Sequence, residues 1–250
     1  MKLCILENDD IDPDIAPTYI GYGAMFDRLL RHAGATGQFD IFNTFHGQYP
    51  DSFDDFDAVL LTGSRADSFS EEPWIRKLRH TVLQLLHTPK KIIGVCFGHQ
   101  LVAMCLGARV GRAPQGWGVG RLQYQWLATD MSPGRTQIAL LASHQDQVFD
   151  LPVGARRLAT SDFCPVAAFA LQDRVLCVQA HPEFVEDYSA YLLNKRRSVL
   201  DEALYTLSMH SLALGMHHLL LLPKIMATCQ KINQLRCVFG ATISGTSLRP

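Results

Sequence analysis

Residues 91–100 read KIIGVCFGHQ. An apolar run of strand character stops at Cys96, with Gly94 two residues before it and Gly98 two residues after. The stretch that follows, HQLVAMCLGA, carries apolar residues at helical spacing. Strand, G-x-C-x-G, helix is the pattern of a nucleophile elbow with cysteine at the centre. Such a turn strains its central residue and brings the strand and helix backbones close, so the flanking residues must be small. It lifts the thiol clear of the sheet. It also sets the sulfur at a helix N-terminus, whose unpaired N–H groups favour the thiolate. A cysteine buried as packing material is the plainer alternative, and these ten residues leave it open.

Outward from the elbow, strand and helix signals alternate. KLCILEN, FDIFNTF, FDAVLLTGS and KKIIGVC read as strands, while GAMFDRLLRHAG and EEPWIRKLRHTVLQLL read as amphipathic helices between them. That alternation predicts an α/β fold with a mostly parallel central sheet covered by helices on both faces. From about residue 110 to 179 the texture changes. GVGRLQYQWLA, TQIALLAS, ARRLATS, PVAAFAL and RVLCVQA are strand-like pieces joined by turns. They extend the central sheet, form a small antiparallel sheet beside it, or do both.

A thiol nucleophile needs a base, and the base needs an orienting group. RVLCVQAHPEF, residues 174–184, offers both: a strand runs out at His181, and Glu183 follows two residues later on the same side. Glu183 can hold one imidazole nitrogen while the other faces Cys96. His32, His80 and His87 fall on helices or helix ends. His99 reads as a helix-start residue, and His210, His217 and His218 sit in a late apolar stretch without a suitably spaced carboxylate.

The 250 residues carry 48% apolar and 19% charged residues and a formal net charge of −1. No basic excess recruits nucleic acid, and no phosphate-binding loop or dinucleotide fingerprint is present. Seven cysteines, at irregular spacing and without a C-x-x-C pair, give no metal site and suggest a reducing, cytoplasmic setting with free thiols. The start, MKLCILENDD, turns acidic too early for a secretion signal.

GVCFGHQLVA together with VQAHPEF resembles the class I, triad-type glutamine amidotransferases, and is most similar to the glutaminase part of GMP synthase. LLTGSRADSFSEEPWI and ASHQDQVFDLPVGARRLATS fit between these motifs, so the resemblance spans roughly residues 1–190. It implies a flavodoxin-like fold and glutamine or another γ-glutamyl compound as substrate, without a cofactor. It implies that Cys96 attacks the side-chain amide carbon, that His181 exchanges protons, and that Glu183 orients His181. It further implies backbone N–H groups of Gly63 and Phe97 as the oxyanion hole. Gln100, His144, Gln145 and Asp146 are the matching substrate contacts. The chain lacks the ATP-using domain of a complete GMP synthase. Either ammonia passes to a separate synthase subunit, or the protein hydrolyses γ-glutamyl amides outright. Loops 9–22 and 115–120 would build the pocket that separates these two readings. A non-catalytic regulatory subunit is the third reading, opposed by the intact Cys96, His181 and Glu183.

The tail does not match the family. Residues 1–197 read as the catalytic domain, and 198–250 as a helical extension packed on the core or on a partner. Residues 203–222 contain no Asp, Glu, Lys or Arg. Their length suits a membrane span, but three histidines and several small polar residues favour a helix packed on the core or on a second copy.

Overall fold

The computed structural model describes residues 1–130, 134 and 136–214. In chain order the elements are β1 (Lys2–Glu7), α1 (Ala16–Tyr19), α2 (Tyr22–His32), β2 (Gln38–Asn43), β3 (Ala58–Leu61), α3 (Pro73–Leu86), β4 (Lys91–Val95) and α4 (Phe97–Cys105). Then come β5 (Val110–Arg112), β6 (Gly118–Trp126), β7 (Gln137–His144), β8 (Asp146–Val148), β9 (Arg156–Thr160), β10 (Ala168–Leu171) and β11 (Val175–Val178). Helices α5 (Glu186–Lys195) and α6 (Glu202–Ser211) and a 3-10 turn at Leu212–Leu214 follow.

Nine strands form one sheet in the order β2-β1-β3-β4-β11-β10-β9-β6-β7. The first five are mutually parallel, and the remaining pairs are antiparallel. The strand-like pieces after residue 117 therefore extend the central sheet. The separate antiparallel sheet is smaller than the sequence suggests, being β5 paired with β8. At three residues each, these two strands are too short to show a period.

The parallel half is apolar along its whole length because both faces are covered. Along β1 the alternation sorts the core. Leu3 and Ile5 join Phe26 and Leu30 of α2. Cys4 and Leu6 join Ile75, Leu78 and Val82 of α3 and Leu101 and Val102 of α4. Both faces being filled, the open edge is the row of carboxyl ends of β1, β3, β4 and β11. In open α/β sheets that edge is where ligands bind. Asn8 and Asp9, Gly63, Cys96 and His181 lie just beyond those four strands.

Beyond α5, α6 starts at Asp201, whose carboxylate accepts a hydrogen bond from the Leu204 N–H at 2.8 Å. It lies on β6: the Arg121 N–H donates to Ser211 Oγ at 2.9 Å, and Ser208 Oγ donates to the Val119 carbonyl at 3.3 Å. Gly120, at φ +77°, permits this approach, since a Cβ there would sit 2.8 Å from Ser211 Oγ. No helix among the described residues is long and apolar enough to cross a membrane. The rest of the apolar stretch, residues 215–222, lies outside the described residues, as do Cys229, Cys237, His217, His218 and the final segment.

Candidate active site

β4 carries the chain directly into Cys96, which has φ +52° and ψ −104°, a left-handed conformation that non-glycine residues rarely adopt. The two glycines are required by contact. A Cβ on Gly94 would lie 2.6 Å from the Gly98 carbonyl oxygen, and one on Gly98 would lie 2.5 Å from the Leu61 carbonyl oxygen. Gly98→Ala should therefore push α4 off β3 and destabilise the fold by about 3 kcal/mol, the upper end of ordinary overpacking. Urea unfolding measures it, and an unchanged midpoint would contradict this packing.

His181 is clamped by main chain. Its N–H donates to the Leu141 carbonyl of β7 at 2.8 Å. Its Nδ1 lies 2.6 Å from Glu183 Oε1, with both side chains buried. Phe184 stacks on the imidazole at 3.7 Å between centroids and 9° between planes. Tyr188 of α5 packs on Phe184, and its hydroxyl donates to the Tyr22 hydroxyl at 3.1 Å. With Nδ1 occupied, Nε2 is the ring nitrogen left for Cys96, whose sulfur is near enough to act on the charge of the imidazole. Burial opposes charge on His181. The Glu183 carboxylate and the Cys96 sulfur outweigh it and raise the imidazole from its ordinary 6.5 to about 10. Burial pushes the thiols of Cys4 and Cys164 up to about 12 and that of Cys105 up to about 11.

Gly63 faces both groups: a Cβ there would sit 2.8 Å from His181 Cε1 and 3.6 Å from Cys96 Cβ. The residues that end β1 hold its turn from both sides. Asn8 Nδ2 donates to the Thr62 carbonyl at 2.9 Å, and the Asn8 N–H donates to Thr62 Oγ1 at 3.0 Å. Thr44 Oγ1 donates to Asn8 Oδ1 at 2.8 Å. Drawing the Thr62 carbonyl toward β1 turns the trans-related Gly63 N–H the other way, toward β4 and Cys96. Asp9 takes the Arg65 N–H at 2.7 Å and its guanidinium at 2.8 and 3.0 Å. The Phe97 N–H opens α4 and has no partner within the helix.

A family model decides the assignment: the glutamine amidotransferase class-I model matches residues 19–195. The chain belongs to the class-I glutamine amidotransferase family. Gamma-glutamyl peptidase 3 of Arabidopsis thaliana is 35% identical over 175 residues, covering 65% of this chain and 70% of that protein. A glutamine-hydrolyzing GMP synthase subunit of Archaeoglobus fulgidus is 33% identical over 132 residues, covering 52% of this chain and 67% of that protein. In structure, a glutamine amidotransferase from Thermotoga maritima superposes with a TM-score of 0.74 at 18% identity, covering 92% of this chain and 99% of that one. That likeness is one of fold.

The matched SHQD loop is held largely by side chains that grip its backbone. Gln100 Nε2 donates to the Asp146 carbonyl at 2.9 Å, and His144 Nδ1 lies 3.0 Å from the same oxygen. Gln100 thus positions the loop as well as lining the cavity at Cys96. Burial lowers His144 to about 4, so the ring is neutral. Gln145 Oε1 accepts from Arg112 at 2.9 Å. Arg112 also bridges Asp67 and Asp146, each at 3.1 Å. Burial first, then the neighbouring Asp67, pushes Asp146 up to about 6 against the pull of Arg112.

Several residues here have no local sequence signal. Gln179 Nε2 donates to Cys96 Sγ at 3.7 Å, and Gln179 Oε1 accepts from Gln100 at 3.3 Å. Its place two residues before His181 is a clue visible only once the strand is paired. Asn8, Thr44, Phe184, Trp117 and Arg196 likewise reach the site through the fold. His99 is fully buried in α4 against Phe169, with burial lowering it to about 3. Among the described residues no cluster of His, Cys, Asp and Glu could hold a metal ion.

Proposed function

We propose that this chain is a cysteine hydrolase that cleaves γ-glutamyl amides, with Cys96, His181 and Glu183 as its triad. The observation that carries the reading is Cys96, held at φ +52° on a helix N-terminus beside an imidazole whose Nδ1 meets Glu183 at 2.6 Å. With its proton already held by His181 as imidazolium, Cys96 Sγ attacks the γ-carbonyl carbon. The oxyanion receives the N–H groups of Gly63 and Phe97. The C–N bond breaks as His181 protonates the departing nitrogen, leaving a γ-glutamyl thioester. Water, deprotonated by His181, then releases glutamate and the free sulfur. Asp67, Arg112 and Asp146 provide the paired charges that would hold the substrate's α-ammonium and α-carboxylate.

Two features favour a substrate larger than glutamine. Several similar proteins are named gamma-glutamyl peptidases, at 31–35% identity. A cavity of about 310 Å³ also adjoins the one at Cys96, sharing Arg65, Trp117 and Arg196 with it. The second reading, delivery of ammonia from glutamine to a separate synthase, is supported by the likeness to the Archaeoglobus GMP synthase protein. Purified protein assayed against glutamine and a panel of γ-glutamyl amides separates the two. Rapid amine release from a larger amide, without a partner, supports the hydrolase. Turnover of glutamine that depends on an added protein fraction supports the synthase reading.

The alkaline limit tests the role of Glu183. The general acid must stay protonated, so activity should fall only as pH rises through about 10, where His181 loses its proton. Glu183→Gln removes the charge that raises His181 and leaves the burial that lowers it. Its alkaline limb should move to lower pH, with kcat reduced by about 10⁴-fold, as when a triad loses its orienting carboxylate. A pH–rate profile with an unmoved limb would reject this role.

A further inference from the structure

The larger cavity carries an inference that rests on the hydrolase reading and names its substrate more narrowly. Three cations border it: Arg65, Lys195 and Arg196. Two are already neutralised. Arg65 is bound to both oxygens of Asp9, and Lys195 meets Asp12 at 2.8 Å. Arg196 has no carboxylate within ion-pair distance among the described residues. Its guanidinium lies over the Trp117 ring, 5.2 Å from the centroid, and it makes a long hydrogen bond, at 3.5 Å, to the Leu192 carbonyl. Burial lowers its pKa, as expected for a cation taken from water without a counter-charge.

Position decides what Arg196 is for. It lines the cavity at Cys96 as well as the larger one, so it stands at the junction between nucleophile and leaving-group space. The Cys96 cavity is also lined by Asp67, Arg112 and Asp146, whose charges suit the α-substituents of the glutamyl half and none of which borders the larger cavity. The larger cavity meets the Cys96 cavity at Arg65, Trp117 and Arg196, and Tyr22, Trp117, Tyr188 and Tyr191 line it. We propose that Arg196 pairs with a carboxylate on the leaving amine, so that the preferred substrates are γ-glutamyl amino acids whose apolar or aromatic side chain fills this cavity. A guanidinium stacked on an indole keeps its outward N–H pair free for such a bidentate contact.

The test compares γ-glutamyl-phenylalanine with γ-glutamyl-phenethylamide, which differ by that carboxylate alone, and includes glutamine. Wild-type kcat/KM should favour the phenylalanine compound by about 10- to 100-fold, the range of a charge-assisted hydrogen-bond pair. Arg196→Gln should collapse this ratio toward one, and Arg196→Lys should restore part of it. Equal wild-type rates on the two compounds would overturn the assignment without needing a variant. A ratio preserved in Arg196→Gln, both rates falling together, would also overturn it and move Arg196 to the glutamyl half. No turnover of any of the three compounds would instead overturn the hydrolase reading, and this subsite with it.

Discussion

Cys96→Ala should abolish amine release from every γ-glutamyl compound that the wild type cleaves. The expected fall in kcat is roughly a million-fold, the order seen when a triad loses its nucleophile. Alanine keeps the backbone of the elbow and removes the atom that forms the thioester, so the unfolding midpoint should stay near that of the wild type. Cys96→Ser should also lose most activity, because a hydroxyl is far harder to deprotonate than a thiol. A glutamine-like electrophile should label Cys96 before Cys4, Cys105 or Cys164, whose thiols burial holds at about 11 to 12. Labelling of Cys105 or Cys164 first, with Cys96 untouched, would remove the basis of the reading.

His181→Ala should cost nearly as much as the loss of Cys96. The ring is held by Glu183 at Nδ1, with Phe184 stacked on its face and its other nitrogen left for the sulfur. Because the two residues act as one unit, the double variant Cys96→Ala/His181→Ala should be no slower than either single variant. Additive losses in kcat, measured on the same substrate, would mean that the two work independently. Near-normal turnover in His181→Ala would point to His144, another imidazole at the cavity.

Much of this was legible in ten residues. The glycines of KIIGVCFGHQ report a contact between backbones, here 2.5 and 2.6 Å for the missing Cβ atoms, and contacts of that kind constrain sequence locally. The parallel strands announce themselves because both faces are buried, as the split of β1 between two cores shows. His181 and Glu183 were legible for a similar reason, since two-residue spacing at a strand end sets their direction. The antiparallel half was ambiguous because alternation reveals a strand and not its partner. The pairing of β6 with β9, Gln125 opposite Thr160, is a long-range fact. Helix α5 went unread because EDYSAYLLNK buries just Tyr188, Ser189 and Leu193 and shows a weak apolar stripe. The hold that Asn8 and Asp9 exert on the Gly63 turn was invisible for a different reason. The acidic run after β1 reads as a solvated loop until β3 is placed beside it. Arg196 gives no signal in sequence, where it is one cation in NKRRS, and becomes distinct when Asp9 and Asp12 are seen to have claimed its neighbours.

Catalysis by this chain passes, in the proposed mechanism, through a covalent γ-glutamyl thioester on Cys96. The direct measurement is mass analysis of wild-type protein mixed with γ-glutamyl-phenylalanine or glutamine and quenched in acid during turnover. A γ-glutamyl adduct on the peptide that contains Cys96, absent from Cys96→Ala and removed by hydroxylamine, is the expected result. Turnover with no adduct at any quench time, or with the adduct on another cysteine, would contradict it.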